Sequence, residues 1–251
     1  SSAPRMPSVL EHDESCCPTQ IGGHADSIKV DVCDPHLHKL AQPAEEAFYE
    51  STQGHTGLAP FIPKYMGVTI AEDGRRFIIL ENLLQGMTKP ILLDLKVGTR
   101  TYGDDASPGK QEKQEAKAKK TTSASLGVML VGCALPTTAD AQSTEVHGRK
   151  FKKEITTEPE LTDLLKRWFA PAQLKQEALE MVSKVHAYFS VQKEHAFYGS
   201  SLLFCYDASL GENATLRAKM IDFAHVHPPP DGGRDESYLT GLDYILRVLQ
   251  Q

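Results

Sequence analysis

Pro90-Ile91-Leu92-Leu93-Asp94-Leu95-Lys96-Val97-Gly98 holds the reading of this chain together. Apolar and polar residues alternate from Ile91 to Val97, as a strand requires. In a strand, successive side chains point to opposite faces, so Asp94 and Lys96 share one face. A carboxylate and an ammonium so placed can grip different parts of one substrate, and Gly98 lets the backbone turn closely behind them. A solvated strand edge carrying an ion pair has the same spacing. The segment by itself fits both equally.

Upstream, Gln20 to Leu40 offers short apolar stretches broken by Gly, Asp and Pro, the pattern of a small antiparallel sheet. Pro43 to Glu50 opens a helix, with Pro early and acids in the first turn. Phe61–Val68 and Arg76–Leu80 read as strands, and Asn82 to Lys89 reads as the connector between two lobes. Downstream, 106–120 is the most charged stretch, Leu126 to Ala134 a strand, and Thr137 to Thr144 a polar loop. Glu158-Pro159 opens a helix with Leu161, Leu164, Leu165, Trp168 and Phe169 on one stripe. Pro171 opens another, with Leu174, Ala178, Met181, Val182, Val185 and Phe189 inward. Phe197–Tyr206 and Ala218–Phe223 read as strands. Tyr238, Leu242, Ile245, Leu246 and Leu249 make an amphipathic C-terminal helix. The mixture predicts an α+β fold in two lobes with a cleft between them. It divides as a flexible arm over 1–19, an N-lobe over 20–84 and a C-lobe over 85–251.

Composition narrows the function classes. The 251 residues are 40% apolar and 24% charged, as in a globular protein, and the net charge is −6. An acidic balance argues against a nucleic-acid coat or a membrane-surface protein. The longest apolar run, Leu126 to Leu135, is too short to span a bilayer. Ser1-Ser2-Ala3-Pro4-Arg5 carries no apolar signal core. The five cysteines are odd in number and lack CxxC spacing, which predicts free thiols in a reducing compartment, the cytosol or nucleus. A monomer is expected.

Three more polar features could carry chemistry. Asp222, in Ile221-Asp222-Phe223, ends an apolar strand and is placed to ligate magnesium through a hard oxygen; a turn-forming or capping Asp has the same signature. Lys39 is followed closely by Glu45 and Glu46, and a strand lysine held by a helix glutamate can neutralise nucleotide phosphates; an exposed lysine is the plainer reading. Lys110, Lys113, Lys117 and Lys120 would share one face of a helix. That face suits a small polyanion, although Glu112 and Glu115 dilute it and a solvated helix face fits as well. Gly103 to Lys110 imitates a Walker loop but has the wrong glycine spacing and lacks the Ser or Thr. His36-x-His38 and His225-x-His227 lack nearby Cys or carboxylate partners at zinc spacing and read as unbound histidines.

Taken together, these features resemble the inositol polyphosphate kinase family. Its P-x-x-x-D-x-K-x-G mark is matched by Pro90, Asp94, Lys96 and Gly98. Ser200-Ser201-Leu202-Leu203 matches its Ser-Leu-Leu element, and Ile221-Asp222-Phe223-Ala224-His225 its metal-binding element. Gln20-Ile21-Gly22-Gly23-His24 looks like the start of its nucleotide lobe. The resemblance covers roughly Gln20 to the C-terminus. It implies a protein-kinase-like bilobal fold with ATP in the cleft and Mg2+ as cofactor. By the same token Lys39 would contact the ATP phosphates, Glu81 and Leu83 would receive adenine through their backbones, and Asp94 would hold the ribose. Lys96 would lie between the transferred phosphate and the inositol substrate, and Asp222 would bind the metal. Ser201 and His225 would line the acceptor site. Lys110, Lys113, Gln114 and Lys117 match the inositol-phosphate-binding helix, expected at about 106–121.

The subgroup is divided. Asp94 to Ala106 looks like the hexakisphosphate kinases, whereas the compact length and the 222–242 tail look like the multikinases, which are slightly favoured. The calmodulin-regulated trisphosphate 3-kinases fit worst, for want of a basic amphipathic segment before the catalytic region. Two rivals are a non-catalytic scaffold that senses inositol phosphates and a kinase acting on phosphoinositide headgroups.

Overall fold

The computed structural model describes residues 28–29, 31–54, 57–136, 144–147 and 155–251. The Gln20–His24 element, the 1–19 arm and residues 137–143 of the predicted loop lie outside them.

Two antiparallel sheets organise the chain. The first joins β1 (Ile28–Lys29), β2 (His36–Leu40), β3 (Tyr65–Ile70) and β4 (Arg76–Glu81) in the order β1-β2-β4-β3. Between β2 and β3 runs α1 (Pro43–Ser51), with proline in its first turn and Glu45 and Glu46 beside the positive end of the helix dipole. The second sheet has five strands in the order β10-β9-β5-β6-β7: β5 (Pro90–Val97), β6 (Val128–Pro136), β7 (Thr144–His147), β9 (Ser201–Asp207) and β10 (Arg217–Ile221). A two-stranded ribbon pairs β8 (Ala196–Phe197) with β11 (Val226–His227).

β5 alternates as its sequence predicts. Ile91, Leu93, Leu95 and Val97 are buried, while Leu92, Asp94 and Lys96 face the other way. The buried row meets α4 (Glu158–Trp168), α5 (Ala172–Val191) and α6 (Glu236–Leu249) in one continuous core. A capping box between Thr157 and Glu160 starts α4. Trp168 anchors it, donating from its indole N–H to the Ala134 carbonyl at 3.1 Å. α2 (Pro108–Ala118) and the single turn α3 (Ser123–Leu126) connect β5 to β6.

Several strand boundaries differ from the sequence reading. The strand predicted over Ala218–Phe223 runs Arg217–Ile221, because Asp222 at φ 67° leaves extended geometry. β3 begins at Tyr65, because Ala59–Phe61 forms a 3-10 turn that contains Pro60 and is followed by Pro63. The predicted strand 197–206 is two strands, broken at Gly199, whose φ of +76° turns the chain out of extended geometry. Leu126 closes α3 instead of opening β6.

The connector after β4 is pinned from both sides. Asn82 donates through Nδ2 to the Asp31 and Asp34 carbonyls, both at 2.7 Å, and accepts from the Leu84 N–H at 3.0 Å. Arg217 of β10 donates to the Leu83 and Gln85 carbonyls at 2.9 and 2.8 Å. Asp207, buried at the end of β9, accepts from the N–H groups of Thr88, Lys89 and Ser209 at 2.7, 2.9 and 2.9 Å. Burial alone would raise its pKa, but these donors outweigh that and hold it below the usual carboxylate value. A depressed pKa means stability that is present at neutral pH and lost as pH falls through the folded value. Asp207→Ala is therefore expected to lower the unfolding free energy by about 1–3 kcal/mol at neutral pH. In urea titrations the gap from the unsubstituted chain should narrow on acidification.

Candidate active site

The half-buried row of β5, Leu92, Asp94 and Lys96, lies on the face of the second sheet opposite its buried row. Antiparallel register places Lys96 opposite Ser201, Asp94 opposite Leu203 and Leu92 opposite Cys205, and directly opposed residues share a face. At the connector end of this face, Leu92 and Leu203 pack against Val32, Leu83, Leu84, Met87 and Cys205. The Cys205 thiol is pushed up to about 12, mainly by burial, so it stays protonated and acts as packing. The result is an apolar cluster beside the connector, followed along β5 by Asp94 and then Lys96.

Lys39 lies on β2 of the first sheet. Its Nζ donates to Glu45 Oε1 at 2.7 Å and to Asp222 Oδ1 at 2.6 Å. Burial would lower the ammonium's pKa, but the charges of Asp222 and then Glu45 outweigh it and raise the pKa. The Glu45 side chain is fully buried, and Oε1 also accepts from the Phe223 N–H at 3.1 Å. Phe223 is packed against Phe48 and Tyr49 of α1, with ring centroids 4.6 and 5.4 Å away. One helix of the first sheet thus holds both the lysine and the turn that carries Asp222.

That turn has unusual geometry. Asp222 sits at φ 67°, in the left-handed region that Asp and Asn tolerate better than other non-glycine residues. Despite its ion pair, its side chain keeps 47% exposure. A hard anionic oxygen, partly exposed and beside the Lys39 ammonium, fits a divalent metal that takes its remaining ligands from phosphates and water.

Beyond Asp94 the face becomes basic. A Cβ at Gly199 would lie 3.6 Å from Lys96 Nζ, so this glycine sits under the ammonium group. Ser201 is buried, and its hydroxyl has no hydrogen-bond partner among the described residues. His225 is half-buried. Its pKa is lowered by burial first and by Lys110 next, with His227 and Lys96 adding and Asp105 opposing. These electrostatic couplings bring Lys96, Lys110 and His225 into one neighbourhood. Lys110, Lys113 and Lys117 are exposed along α2, while Gln114 is half-buried and lines a recess with Thr99, Arg100, Tyr102 and Ala118.

The sequence-predicted residues therefore fall at three stations. Glu81 ends β4, and Leu83 packs in the apolar cluster after it. The Leu83 carbonyl accepts from Arg217 at 2.9 Å. Lys39, Asp94 and Asp222 stand at the middle, and Lys96, Ser201, His225 and Lys110 at the far end. The connector grip of Arg217 and the stacking of Arg100 between Tyr102 and Tyr198, at 4.6 and 4.3 Å, have no local signature in the sequence.

The chain is similar to known proteins of one family. The profile of the inositol polyphosphate kinase family matches residues 77–250. Mouse inositol hexakisphosphate kinase 3 is 31% identical over 206 residues, covering 71% of this chain and 52% of the relative. Inositol hexakisphosphate kinase 1 of Saccharomyces cerevisiae is 31% identical over 163 residues, 59% of this chain and 15% of the relative. The chain thus spans about half the length of the mammalian relatives it matches. Among solved structures, the inositol phosphate multikinase of S. cerevisiae in complex with ADP and Mn2+ superposes with a TM-score of 0.75 at 25% identity. That match covers 86% of this chain and 98% of that one. The α+β architecture with two antiparallel sheets is the kinase-like bilobal fold of these structures, and the chain belongs to the inositol polyphosphate kinase family.

Proposed function

We propose that this chain transfers the γ-phosphate of ATP to a soluble inositol polyphosphate, with magnesium as the working metal. The observation that carries the proposal is Lys39 Nζ held between Glu45 and Asp222 at 2.7 and 2.6 Å. The complex of the yeast multikinase with ADP and Mn2+ supports a nucleotide and a divalent cation as ligands.

In this reading residues 20–84 form the nucleotide lobe and 85–251 the acceptor lobe. Phosphoryl transfer asks the protein mainly for positioning and charge neutralisation. The apolar cluster around Leu83, Leu84 and Met87 takes the adenine, Asp94 the ribose and Lys39 the nucleotide phosphates. A divalent cation held by Asp222 would neutralise charge on the transferring phosphate. Lys96, Ser201, His225 and the Lys110–Lys117 face, with Gln114, hold the inositol phosphates. Lys96→Met is expected to lower kcat by about 10²–10³-fold, as loss of one charge-stabilising donor does, with the fold retained in circular dichroism.

A multikinase type, acting on trisphosphate and tetrakisphosphate, is the finer proposal. It is supported by the near-complete coverage of the yeast multikinase. A hexakisphosphate kinase making pyrophosphates is the second reading, favoured by the sequence relatives. Purified protein given Mg-ATP and a panel from trisphosphate to hexakisphosphate, with products resolved by position, separates the two. No turnover on any member would overturn the kinase proposal, and turnover only on lipid vesicles would redirect it to phosphoinositides.

We further place the protein in the cytosol or nucleus, as a monomer. Cys205 is a buried free thiol, and no helix among the described residues is long and apolar enough to cross a membrane.

A further inference from the structure

His225 lies in the bend before β11 and His227 within β11, two residues apart in one short run, and each offers a ring nitrogen to the same place. The run is fixed by pairing of Val226 with Phe197 and of His227 with Ala196, and by the Tyr198 N–H donating to the His225 carbonyl at 2.9 Å. The loop after β5 brings Asp105 to the same place. One ligand-capable atom from each of Asp105, His225 and His227 lies within 4.8 Å of the other two. His227 Nε2 and Asp105 Oδ1 are 3.6 Å apart. That is long for a hydrogen bond. It is close to the roughly 3.3–3.5 Å edge of a tetrahedron built on zinc–ligand bonds of about 2.0–2.2 Å.

Two further observations point to a ligand between them. His227 Nε2 is shut off from solvent and has no hydrogen-bond partner among the described residues, a state that proteins seldom leave uncompensated. Gly103 faces the same space: a Cβ there would lie 2.3 Å from His227 Nε2 and 2.5 Å from Asp105 Oδ1. Any side chain at 103 would fill the gap, and glycine keeps it open.

We propose that Asp105, His225 and His227 form a site for a zinc-class divalent cation, with three protein ligands and a fourth position open. Two imidazoles and one carboxylate suit zinc and its borderline neighbours, not magnesium, which prefers oxygen alone. The site is distinct from the nucleotide-metal position at Asp222. Three protein ligands leave room for an outside oxygen, as in zinc sites that bind substrate or water. Lys96 and Lys110 bear on His225, so an anionic oxygen such as a phosphate's is the fitting fourth ligand. That last point rests on the acceptor reading of this face; the cation site does not.

The test uses the full chain with Co2+ and Zn2+ alone, without nucleotide or inositol phosphate. Co2+ is expected to give the visible absorption bands of a four-coordinate site, and Zn2+ to displace it one for one. His227→Ala and Asp105→Ala should each weaken Zn2+ binding by at least ~10-fold. Asp105 is exposed, so its variant should fold even if the His227 variant does not. Equal Zn2+ uptake by the unsubstituted chain and Asp105→Ala, or a Co2+ spectrum that stays six-coordinate, would overturn the proposal. Because binding is read without turnover, loss of this site and loss of the kinase reading show up separately.

Discussion

Asp222→Asn is expected to lower kcat with Mg-ATP by at least ~10³-fold, about 4 kcal/mol of barrier, while leaving the protein folded. Asn tolerates the left-handed backbone at position 222 as Asp does, so the turn at φ 67° carries little added strain. Its amide oxygen can still accept from Lys39, and Lys39 keeps Glu45 at 2.7 Å. The carboxylate is 47% exposed, so its ion pair contributes at most ~1 kcal/mol to stability. What the substitution removes is the hard anionic oxygen that a phosphate-bound metal needs. Three measurements decide the matter: turnover, calorimetric binding of metal–ATP, and thermal unfolding. Turnover within ~10-fold of the unsubstituted chain would strip Asp222 of the metal role. A large drop in melting temperature would instead mean that the residue is structural.

The part of this site that could be read from the sequence is the part built by short-range periodicity. β5 shows its two faces because burial on one side imposes a period of two, so Asp94 and Lys96 fall together without any tertiary information. The stripes of α4, α5 and α6 were legible for the same reason at a period of 3.6. The Lys39–Glu45 pair spans six residues and a strand-to-helix turn, which a local reading can bridge. Its other half cannot be read that way: Lys39 and Asp222 are 183 residues apart, and only the packing of α1 on Phe223 brings them together. The histidines at 225 and 227 looked unpartnered along the chain because their carboxylate neighbour, Asp105, arrives from a loop beyond β5. Gly199 misled for a different reason. In an otherwise strand-like run, a single glycine gives no sign of whether it will adopt positive φ.

Lys39→Met should destabilise the protein by about 3–5 kcal/mol, more than its loss of packing alone would suggest. Methionine fills nearly the same volume but leaves Glu45, whose side chain is fully buried, without its cation. Asp222 suffers less, because its exposed carboxylate can turn to water. The penalty is thus that of a stranded buried charge, and it predicts its own relief. Adding Glu45→Gln removes the charge while keeping an amide oxygen to accept from the Phe223 N–H, 3.1 Å from Glu45 in the unsubstituted chain. The double variant should recover most of the lost stability, since replacing both partners of a buried pair is far milder than replacing one. It should recover no phosphoryl transfer, because the cation facing the nucleotide phosphates is still missing. Urea titrations followed by fluorescence and circular dichroism give the stability terms, and turnover gives the other arm. A Lys39→Met chain within ~1 kcal/mol of the unsubstituted one would show that Glu45 is not held by this ion pair. A double variant less stable than the single would show that the carboxylate is required for its hydrogen bonds and not for its charge. Recovery of stability without recovery of turnover would separate the two duties of Lys39: closing the joint between α1 and the Asp222 turn, and meeting the charge of the nucleotide.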